Sequence, residues 1–281
     1  MDQTQLFAAL FASSVAAGML GSLLGLGGGI IVIPVLTLLL GVDIRYAVGA
    51  SIVSVIATSN GATASHLKDG IANLKVGMLL ETATTTGALI GALATAAIGG
   101  RPLYLIFSVV LATSSVVMFL RRNTDETPNL SNHRWAARLG LGSSFQDRAT
   151  GQTLHYGVAG VPVALGLMLV AGIVSGLLGV GSGTLKVPAM DVAMRLPMKV
   201  STATSNFMIG VTAAAGAAVH FTRGDILPMI AAPVAIGVLV GAIVGARLLG
   251  RLRSSSVRTL FVLVLMAVSI QMAARGLGIQ I

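Results

Sequence analysis

Two charged side chains fall inside apolar stretches of the sequence, where ionisable groups are costly. Lys186 stands within residues 184–194, and Glu81 stands within residues 76–98. A lysine at the middle of a bilayer costs about 2.5–3.5 kcal/mol, so a buried one indicates an ion or substrate pathway. Lys186 is interpreted either as a ligand for an anion or as a structural residue that snorkels or pairs with Asp191. Glu81 is interpreted either as the carrier of a coupling proton or as a residue that snorkels toward a basic membrane face.

Two glycine-rich runs interrupt the apolar sequence, and each is followed by a short apolar arm. The first is Gly25-Leu26-Gly27-Gly28-Gly29, which precedes Pro34, and the second is Gly179-Val180-Gly181-Ser182-Gly183, which precedes Pro188. We interpret Gly25, Pro34, Gly179 and Pro188 as hinge residues. Glycine and proline leave backbone polar groups unpaired, and lipid tolerates this only where protein or a water-filled cavity satisfies those groups. Matching interruptions in two halves of a chain indicate a transporter's binding site.

The hinges predict an anion site that depends little on charged side chains. Each arm begins at a hinge, so its first N–H groups lack helical partners and its dipole places about half a positive charge there. Glycine allows these N–H groups to approach a ligand closely, and two converging helix N-termini would bind an anion between them. The candidate ligands are Gly27, Gly28, Gly29, Ser51, Gly181, Ser182, Gly183, Lys186, Thr204, Ser205 and Asn206. For the hydroxyl and amide residues on the helices after each arm, helix packing is an equally open interpretation.

The composition places these residues in a membrane protein. The 281 residues are 55% hydrophobic and only 10% charged, whereas soluble domains carry about 25% charge. The net charge of +9 is typical of basic loops beside a membrane, so we expect no nucleic acid partner. The chain has no cysteine, which excludes disulfides and thiolate metal sites, and no His, Asp or Glu cluster has metal-ligand spacing. We therefore expect neither a metal nor a cofactor, and no catalytic residues.

The predicted fold is an all-α polytopic membrane protein. Each half is expected to hold a glycine-broken, re-entrant helix pair and three further spanning helices. The expected arms cover residues 30–40 and 184–194, which are too short to cross a hydrocarbon core about 30 Å thick. The expected spans cover residues 6–24, 47–65, 76–98, 103–120, 158–178, 200–221, 226–246 and 257–274.

The two halves align without a gap. Ala17 matches Ala171, an offset of 171 − 17 = 154, and the same offset matches the hinge glycines, both prolines, Ser51 with Ser205, and His66 with His220. One offset held over about a hundred residues indicates a duplication. It divides the chain into a first repeat (1–121), a cytoplasmic linker (122–155) and a second repeat (156–281). Gly-x-x-x-Gly faces at 87/91 and 241/245 suit packing within the chain or in a homodimer.

The basic residues favour an inverted orientation of the two repeats. If each arm returns to the side it came from, thirteen of the 18 basic residues lie on the linker side and four on the other. If the first helix and its arm together cross the bilayer once, the basic residues divide almost evenly between the two sides, about nine against eight. Cytoplasmic loops are enriched in Lys and Arg, so the inverted arrangement is preferred, with the linker inside and both termini outside.

The remaining segments carry weaker expectations. The linker is expected to be solvated, with an interfacial helix around Trp135 as the alternative. His66 and His220 lie at helix ends, where capping or solvent exposure is expected. The N-terminus lacks the basic region of a cleaved signal peptide, so we expect it to remain in the mature protein.

The repeated hinge resembles the sulfite exporter TauE/SafE family, also called the toluene sulfonate uptake permeases. The resemblance rests on Leu23 to Gly29 with Pro34, and on Leu177 to Gly183 with the Lys186-Val187-Pro188 run. Ser182 stands where the family's hinge more often has glycine. The resemblance implies a bacterial or archaeal inner-membrane permease for sulfite, sulfonates or related small organic anions, driven by a proton or sodium gradient.

Two other classes of function compete with a transporter. An intramembrane enzyme needs a catalytic acid–base pair or a metal cluster within the spans, and Glu81 is the one acid available in a span. A membrane scaffold or partner-binding subunit explains the spans but gives no reason for the duplicated hinges. The sequence therefore predicts a secondary transporter that works by alternating access.

Overall fold

The computed structural model describes residues 3–94, 100–120, 134–148, 151–178 and 182–279 and is predominantly helical. The elements follow in the order α1 Gln3–Leu24, α2 Gly29–Pro34, a π-helical turn Val35–Leu39, α3 Ile44–Lys68, α4 Leu74–Ala94, α5 Gly100–Leu120, α6 Arg134–Arg138, β1 Ser143–Asp147, β2 Gln152–Tyr156, α7 Val161–Leu178, α8 Gly183–Ala193, α9 Met198–Thr222, α10 Pro228–Arg251 and α11 Ser254–Gly276.

Both predicted arms are present as short helices. In the first half, α2 and the π-helical turn together run from Gly29 to Leu39, and in the second half α8 runs over 11 residues. Pro34 ends α2 and directly precedes the π-helical turn. Proline removes one N–H from the helical ladder and crowds the preceding turn, which accounts for the widened turn at this position.

The same close helix contact occurs twice, once between α4 and α7 and once between the matched helices α10 and α1. Where α4 packs on α7, a Cβ on Gly87 would collide with the carbonyl oxygen of Leu169; where α10 packs on α1, a Cβ on Gly241 would collide with that of Val15. The offset of 154 carries Gly87 to Gly241 and Val15 to Leu169. Glycine permits this backbone-to-backbone approach, so both Gly-x-x-x-Gly faces pack within the chain.

A pair of matched hydrogen bonds joins α5 to α11. Ser115 Oγ donates to the carbonyl oxygen of Val262 over 3.1 Å, and Ser269 Oγ donates to that of Ser108 over 3.0 Å. The same offset relates the two donors to each other and the two acceptors to each other. The tertiary structure therefore repeats the duplication that the sequence shows.

Membrane-spanning character is strongest in four of the described helices. Segments of α1, α3, α10 and α11 are long and apolar enough to cross a bilayer, and α5 and α7 contain shorter apolar stretches. Helix α9 carries hydroxyl and charged side chains. Most of these side chains on α9 are buried against neighbouring helices.

The linker contains a β-hairpin, so the prediction of an all-α chain is wrong in this region. Strands β1 and β2 pair antiparallel, with Ser143 opposite Tyr156 and Asp147 opposite Gln152. Gly151 closes the turn at a φ of 72°, a conformation that favours glycine. Alternation of exposed and buried positions turns Phe145 and Tyr156 inward, and two strands of five residues gave too short a pattern to recognise.

We call residues 134–148 and 151–156 the cap, because they pack over one end of the bundle. The side chains of Phe145 and Tyr156 join a buried cluster with residues of α4, α7, α8 and α9. Trp135 lies in the short helix α6 and is exposed. The described linker is therefore folded onto the bundle, and the expectation of a solvated segment is wrong for it. Residues 121–133 lie outside the described residues, so the three domain boundaries stay predictions.

Polar contacts fasten the cap to the loop between α3 and α4. Asn73 Nδ2 donates to the carbonyl oxygen of Leu141 over 2.8 Å and contacts the Tyr156 hydroxyl at 3.2 Å. Burial raises the pKa of Tyr156, while hydrogen bonds from Asn73 and Ser143 act in the opposite direction. An ion pair from Lys199 at the start of α9 reaches Asp147 over 2.6 Å.

Candidate functional site

The first hinge folds the arm back against the helix that precedes it. Gly25, Gly27 and Gly28 have φ values of 72°, 80° and 70°, which side chains other than glycine rarely adopt. A Cβ on Gly21 would collide with the backbone of Gly28, so α2 starts in direct contact with α1. The glycine run is thus required by backbone geometry at three of its positions.

The two hinges meet in the structure. Gly183, the first residue of α8, packs so closely on the first hinge that a Cβ there would collide with the carbonyl oxygen of Gly25 and lie 2.8 Å from the Cα of Leu26. Gly179 and Gly181 lie outside the described residues. The expected juxtaposition is therefore found between the start of the second arm and the end of the first helix.

Lys186 lies one helical turn beyond this contact and is completely buried. Its Nζ lies 3.0 Å from Glu81 Oε2 on α4 and donates to Thr212 Oγ1 on α9 over 2.7 Å. Thr212 also donates to the other oxygen of Glu81, as does Thr85 over 3.0 Å. The structure thus joins Lys186 and Glu81, two residues that the sequence had singled out separately.

The predicted alternative partner of Lys186 is wrong. Asp191 pairs with Arg258 on α11, with Arg258 Nη2 lying 2.9 Å from Asp191 Oδ1. Glu81 does not snorkel either, because it is buried with 6% of its surface exposed and faces Lys186. Thr212 completes this group, although its sequence context offered no signal beyond a hydroxyl in an apolar helix.

Comparison with known proteins identifies the family. The model of the family described as Sulfite exporter TauE/SafE matches residues 10–272. The chain belongs to the TauE/SafE family. The resemblance predicted from the hinges is therefore confirmed.

Relatives of this TauE/SafE protein carry transporter names. The Bacillus subtilis (strain 168) "Probable membrane transporter protein YunE" is 27% identical over 278 residues, which are 96% of this chain and 98% of the relative. A "Probable membrane transporter protein" of Xylella fastidiosa (strain 9a5c) is 26% identical over 93% of this chain and 94% of its own length. No solved structure matches. The family and these names indicate a membrane transporter rather than an enzyme.

Three predicted ligands of the TauE/SafE protein are hydrogen-bonded to its own backbone. Ser205 Oγ donates to the carbonyl oxygen of Gly25 over 2.7 Å, and Asn206 Nδ2 donates to that of Ser22 over 2.6 Å. Thr204 Oγ1 accepts from the backbone N–H of Asn73 over 3.0 Å. These contacts hold the end of α1 and the α3–α4 loop against α9, which is the packing interpretation left open by the sequence.

Six buried hydroxyl groups of the TauE/SafE protein, by contrast, have no hydrogen-bond partner within the described ranges, and two of them, on Thr63 and Ser114, are not among the candidates. The other four belong to Ser51 and Ser182, which the sequence predicted as ligands, and to Ser201 and Thr202, which it did not select. Thr202 touches the first hinge, since a Cβ on Gly25 would lie 2.9 Å from its carbonyl oxygen. Unpaired buried hydroxyls are uncommon. The polar run from Ser201 to Asn206 was the sequence feature that could have pointed to Ser201 and Thr202.

The two matched histidines occupy different surroundings. His66 is fully buried, so the expectation of an exposed helix end is wrong for it, and its Nε2 lies 3.1 Å from Asn206 Nδ2. His220 is partly buried, with Nδ1 lying 3.0 Å from Asp225 Oδ2. Within the described parts of this TauE/SafE protein, no three His, Asp or Glu residues group as metal ligands would.

Proposed function

We propose that this protein is a secondary transporter that carries sulfite, sulfonates or similar small organic anions across the bacterial or archaeal cytoplasmic membrane. One observation carries the proposal: the start of α8 abuts the first hinge at Gly25, and buried hydroxyls without partners lie on the elements that meet there. Family membership and the transporter names of the relatives support the general class.

The chemistry of the hinge region suits an oxyanion. The N-terminus of α8 supplies N–H groups and the positive end of a helix dipole. The hydroxyls of Ser182, next to Gly183, and of Ser201 and Thr202, on the stretch of α9 that touches the first hinge, can each donate to a sulfite or sulfonate oxygen. Ser51 on α3 stays a predicted ligand. A bound anion would thereby satisfy donors whose burial is otherwise costly.

The proposed topology has inverted repeats, and the helix directions support it. Gly87 and Gly91 of α4 meet Leu169 and Ile173 of α7 in the same order along the chain, so α4 and α7 run parallel. By the matched contacts, α1 and α10 also run parallel. Between α5 and α11 the order is reversed, because Ser108 meets Ser269 and Ser115 meets Val262. These two helices are matched by the repeat offset and run antiparallel, as inverted repeats require.

Contacts at one end of the bundle support the proposed cytoplasmic side. Lys199 pairs with Asp147, and Arg148 lies 2.7 Å from Asp69, so the start of α9, the cap and the α3–α4 loop share one end. The thirteen basic residues assigned to that side are Lys68, Lys75, Arg121, Arg122, Arg134, Arg138, Arg148, Arg195, Lys199, Arg247, Arg251, Arg253 and Arg258. A reporter fused at Asn129 should be cytoplasmic, and an external reporter there would overturn this orientation.

Alternating access follows from two matched halves that exchange roles about a shared site. A proton or sodium gradient would drive the cycle, and a homodimer is compatible with the proposal. Gly183 at the start of α8 packs directly against Gly25 and Leu26, with no room for a side chain. A change of angle between the halves would therefore move these backbones against each other.

Transport by the purified protein in proteoliposomes tests the proposed function. We expect uptake of labelled sulfite or methanesulfonate under a proton or sodium gradient. Gly183→Ala should slow this uptake, whereas Gly216→Ala should not, because a Cβ on Gly216 meets nothing within 4 Å. Absence of flux with small oxyanions under both gradients would overturn the proposal.

A further inference from the structure

The buried Lys186 ammonium already has an anion beside it. Among the described residues, Glu81 is the one carboxylate within hydrogen-bond distance of its Nζ, at 3.0 Å. The two residues stand on different helices, α8 and α4, and are joined through Thr212 on a third. A carboxylate and a small organic anion present the same oxygen chemistry to an ammonium group.

The position of Lys186 connects this ion pair to the hinge. Its backbone N–H donates to the carbonyl oxygen of Ser182 over 2.9 Å, so the lysine belongs to the first turn of α8. Ser182 carries one of the unpartnered hydroxyls, and Gly183 makes the hinge contact. An anion at the start of α8 would therefore lie within one helical turn of the ammonium group.

We propose that Glu81 is a built-in occupant of the anion site, which the substrate anion replaces, and that one proton on Glu81 accompanies each monoanion. This inference rests on the proposed anion transport. In the empty site, the Glu81 carboxylate contacts the Lys186 ammonium. On binding, a proton from hydronium in the bulk solution bonds to a Glu81 carboxylate oxygen and leaves water behind, the contact of Glu81 with Lys186 breaks, and the anion takes its place beside the ammonium. The site stays electrically neutral, with one positive and one negative charge before and after.

Charge balance in a buried site favours this exchange. An anion that entered without a proton would leave two negative charges beside one lysine, and uncompensated charge at this depth is costly. A sodium ion on Glu81 would lie against the Lys186 ammonium, which repels it. A protonated Glu81 is neutral, and its acid group can donate to the hydroxyl oxygen of Thr212 or Thr85.

The other charged groups on the described parts of α4, α8 and α9 are engaged elsewhere. Helix α7 carries no charged residue, and the side chain of Arg101 on α5 lies outside the described side chains. His66 on α3 contacts Asn206, six residues before Thr212 on α9. The remaining pairs and contacts on α4, α8, α9 and α11 are Lys75 with the carbonyl oxygen of Gly140, Asp191 with Arg258, Lys199 with Asp147, and His220 with Asp225.

Anion binding measured against pH tests the exchange. Thermal unfolding of the intact protein in detergent would be followed with methanesulfonate, acetate and sulfite, and dissociation constants would be derived from the anion dependence. The pH series would use methanesulfonate and acetate, which keep one charge between about pH 6 and 8. For the wild type we expect affinity to fall about tenfold per pH unit, because each bound anion takes up one proton.

Variants of Glu81 and Lys186 test whether the pH dependence of anion affinity arises from their ion pair. Glu81→Gln should remove the slope and bind at least about tenfold more tightly than the wild type at the highest pH, because its lysine is free. Lys186→Met should weaken binding about tenfold or more at every pH. The charge-neutral double variant, Glu81→Gln with Lys186→Met, should fold, bind weakly and show no slope. Asp69→Asn removes a carboxylate from the cap side and should keep the wild-type slope.

The outcomes separate this inference from the proposed function. Binding that is tight but independent of pH in the wild type, or a slope that persists in Glu81→Gln, overturns the exchange and leaves anion transport standing. If none of the three anions stabilises the wild type, the proposed function fails and the exchange fails with it.

Exchange transport gives a second measurement in proteoliposomes. Glu81→Gln should still exchange labelled methanesulfonate for unlabelled, because this needs no net proton movement, but a pH gradient should no longer drive accumulation. Accumulation by Glu81→Gln at the wild-type level would overturn the exchange. So would a wild-type uptake that requires sodium rather than a pH gradient.

Discussion

The duplicated scaffold contains two matched sets of positions, and only the set around Lys186 holds buried charges. The repeat offset carries Val32 to Lys186 on the arms, Thr58 to Thr212 on the central helices, and Ala235 to Glu81 on the helices that follow. Val32 is packed in an apolar cluster, and Thr58 donates to the carbonyl oxygen of Ser54 in its own helix. The site around Lys186 thus holds an ion pair to which both halves contribute, whereas the matched positions Val32, Thr58 and Ala235 carry no charge.

The comparison shows that the backbone contacts recur in both halves, whereas the charged side chains differ between matched positions. Glycine contacts and the serine hydrogen bonds between α5 and α11 recur in both halves, because each depends on backbone approach that a symmetric bundle makes twice. The lysine and glutamate occur once, which fits the proposed single substrate site. The asymmetry of charge therefore lies in the side chains, and the symmetry lies in the backbone.

The largest expected effect comes from breaking the ion pair. Glu81→Gln leaves the Lys186 ammonium buried without a carboxylate and should cost about 3–5 kcal/mol of stability in the absence of substrate. Chemical unfolding in detergent measures this cost. Ala235→Gln, at the matched position, creates no unpaired charge and should cost clearly less. Equal losses in the two variants would contradict the contrast between the two matched sites.

The matched threonines give the next contrast. Thr212→Val removes a hydroxyl that contacts both charged groups, and we expect a loss of about 1.5–3 kcal/mol, since hydrogen bonds to charged groups have that magnitude. Thr58→Val removes a bond within its own helix and should have little effect. The same unfolding assay compares them, and a larger loss for Thr58→Val would refute the assignment.

The hinge contact is expected to be intolerant of a single methyl group. Gly183→Ala would place a Cβ against the backbone of Gly25 and Leu26, and overpacking of this kind typically costs about 1–3 kcal/mol. Gly216→Ala in the interior of α9 has free space and should be neutral or slightly stabilising. Thermal unfolding of both variants, side by side, measures the difference.

The smallest effects should be equal in the two halves. Ser115→Ala and Ser269→Ala each remove one of the matched hydrogen bonds between α5 and α11, and such bonds in membrane helices average about 0.6 kcal/mol. Unfolding free energies of the two variants should agree within error. A marked inequality would indicate that the scaffold itself, and not only the site, has diverged.

The sequence by itself determined the class of protein, the duplicated framework and the places where helices break. These follow from local chemistry: apolar stretches of spanning length, glycines and prolines that interrupt them, and one offset that matches them. The sequence also singled out Lys186 and Glu81, because ionisable groups are rare in apolar segments. It missed the cap hairpin, whose two strands are too short for their alternation to stand out.

Tertiary structure alone decided which of these residues meet. Lys186 and Glu81 are 105 positions apart, and no local pattern distinguishes Glu81 from Asp191 as the partner of the lysine. The packing of both α8 and α4 against α9 makes that choice and adds Thr212. Likewise, Ser205 and Asn206 bond to the first hinge while Ser201 and Thr202 have no partner within the described ranges, because the rotation of α9 about its axis decides which hydroxyls reach a carbonyl group.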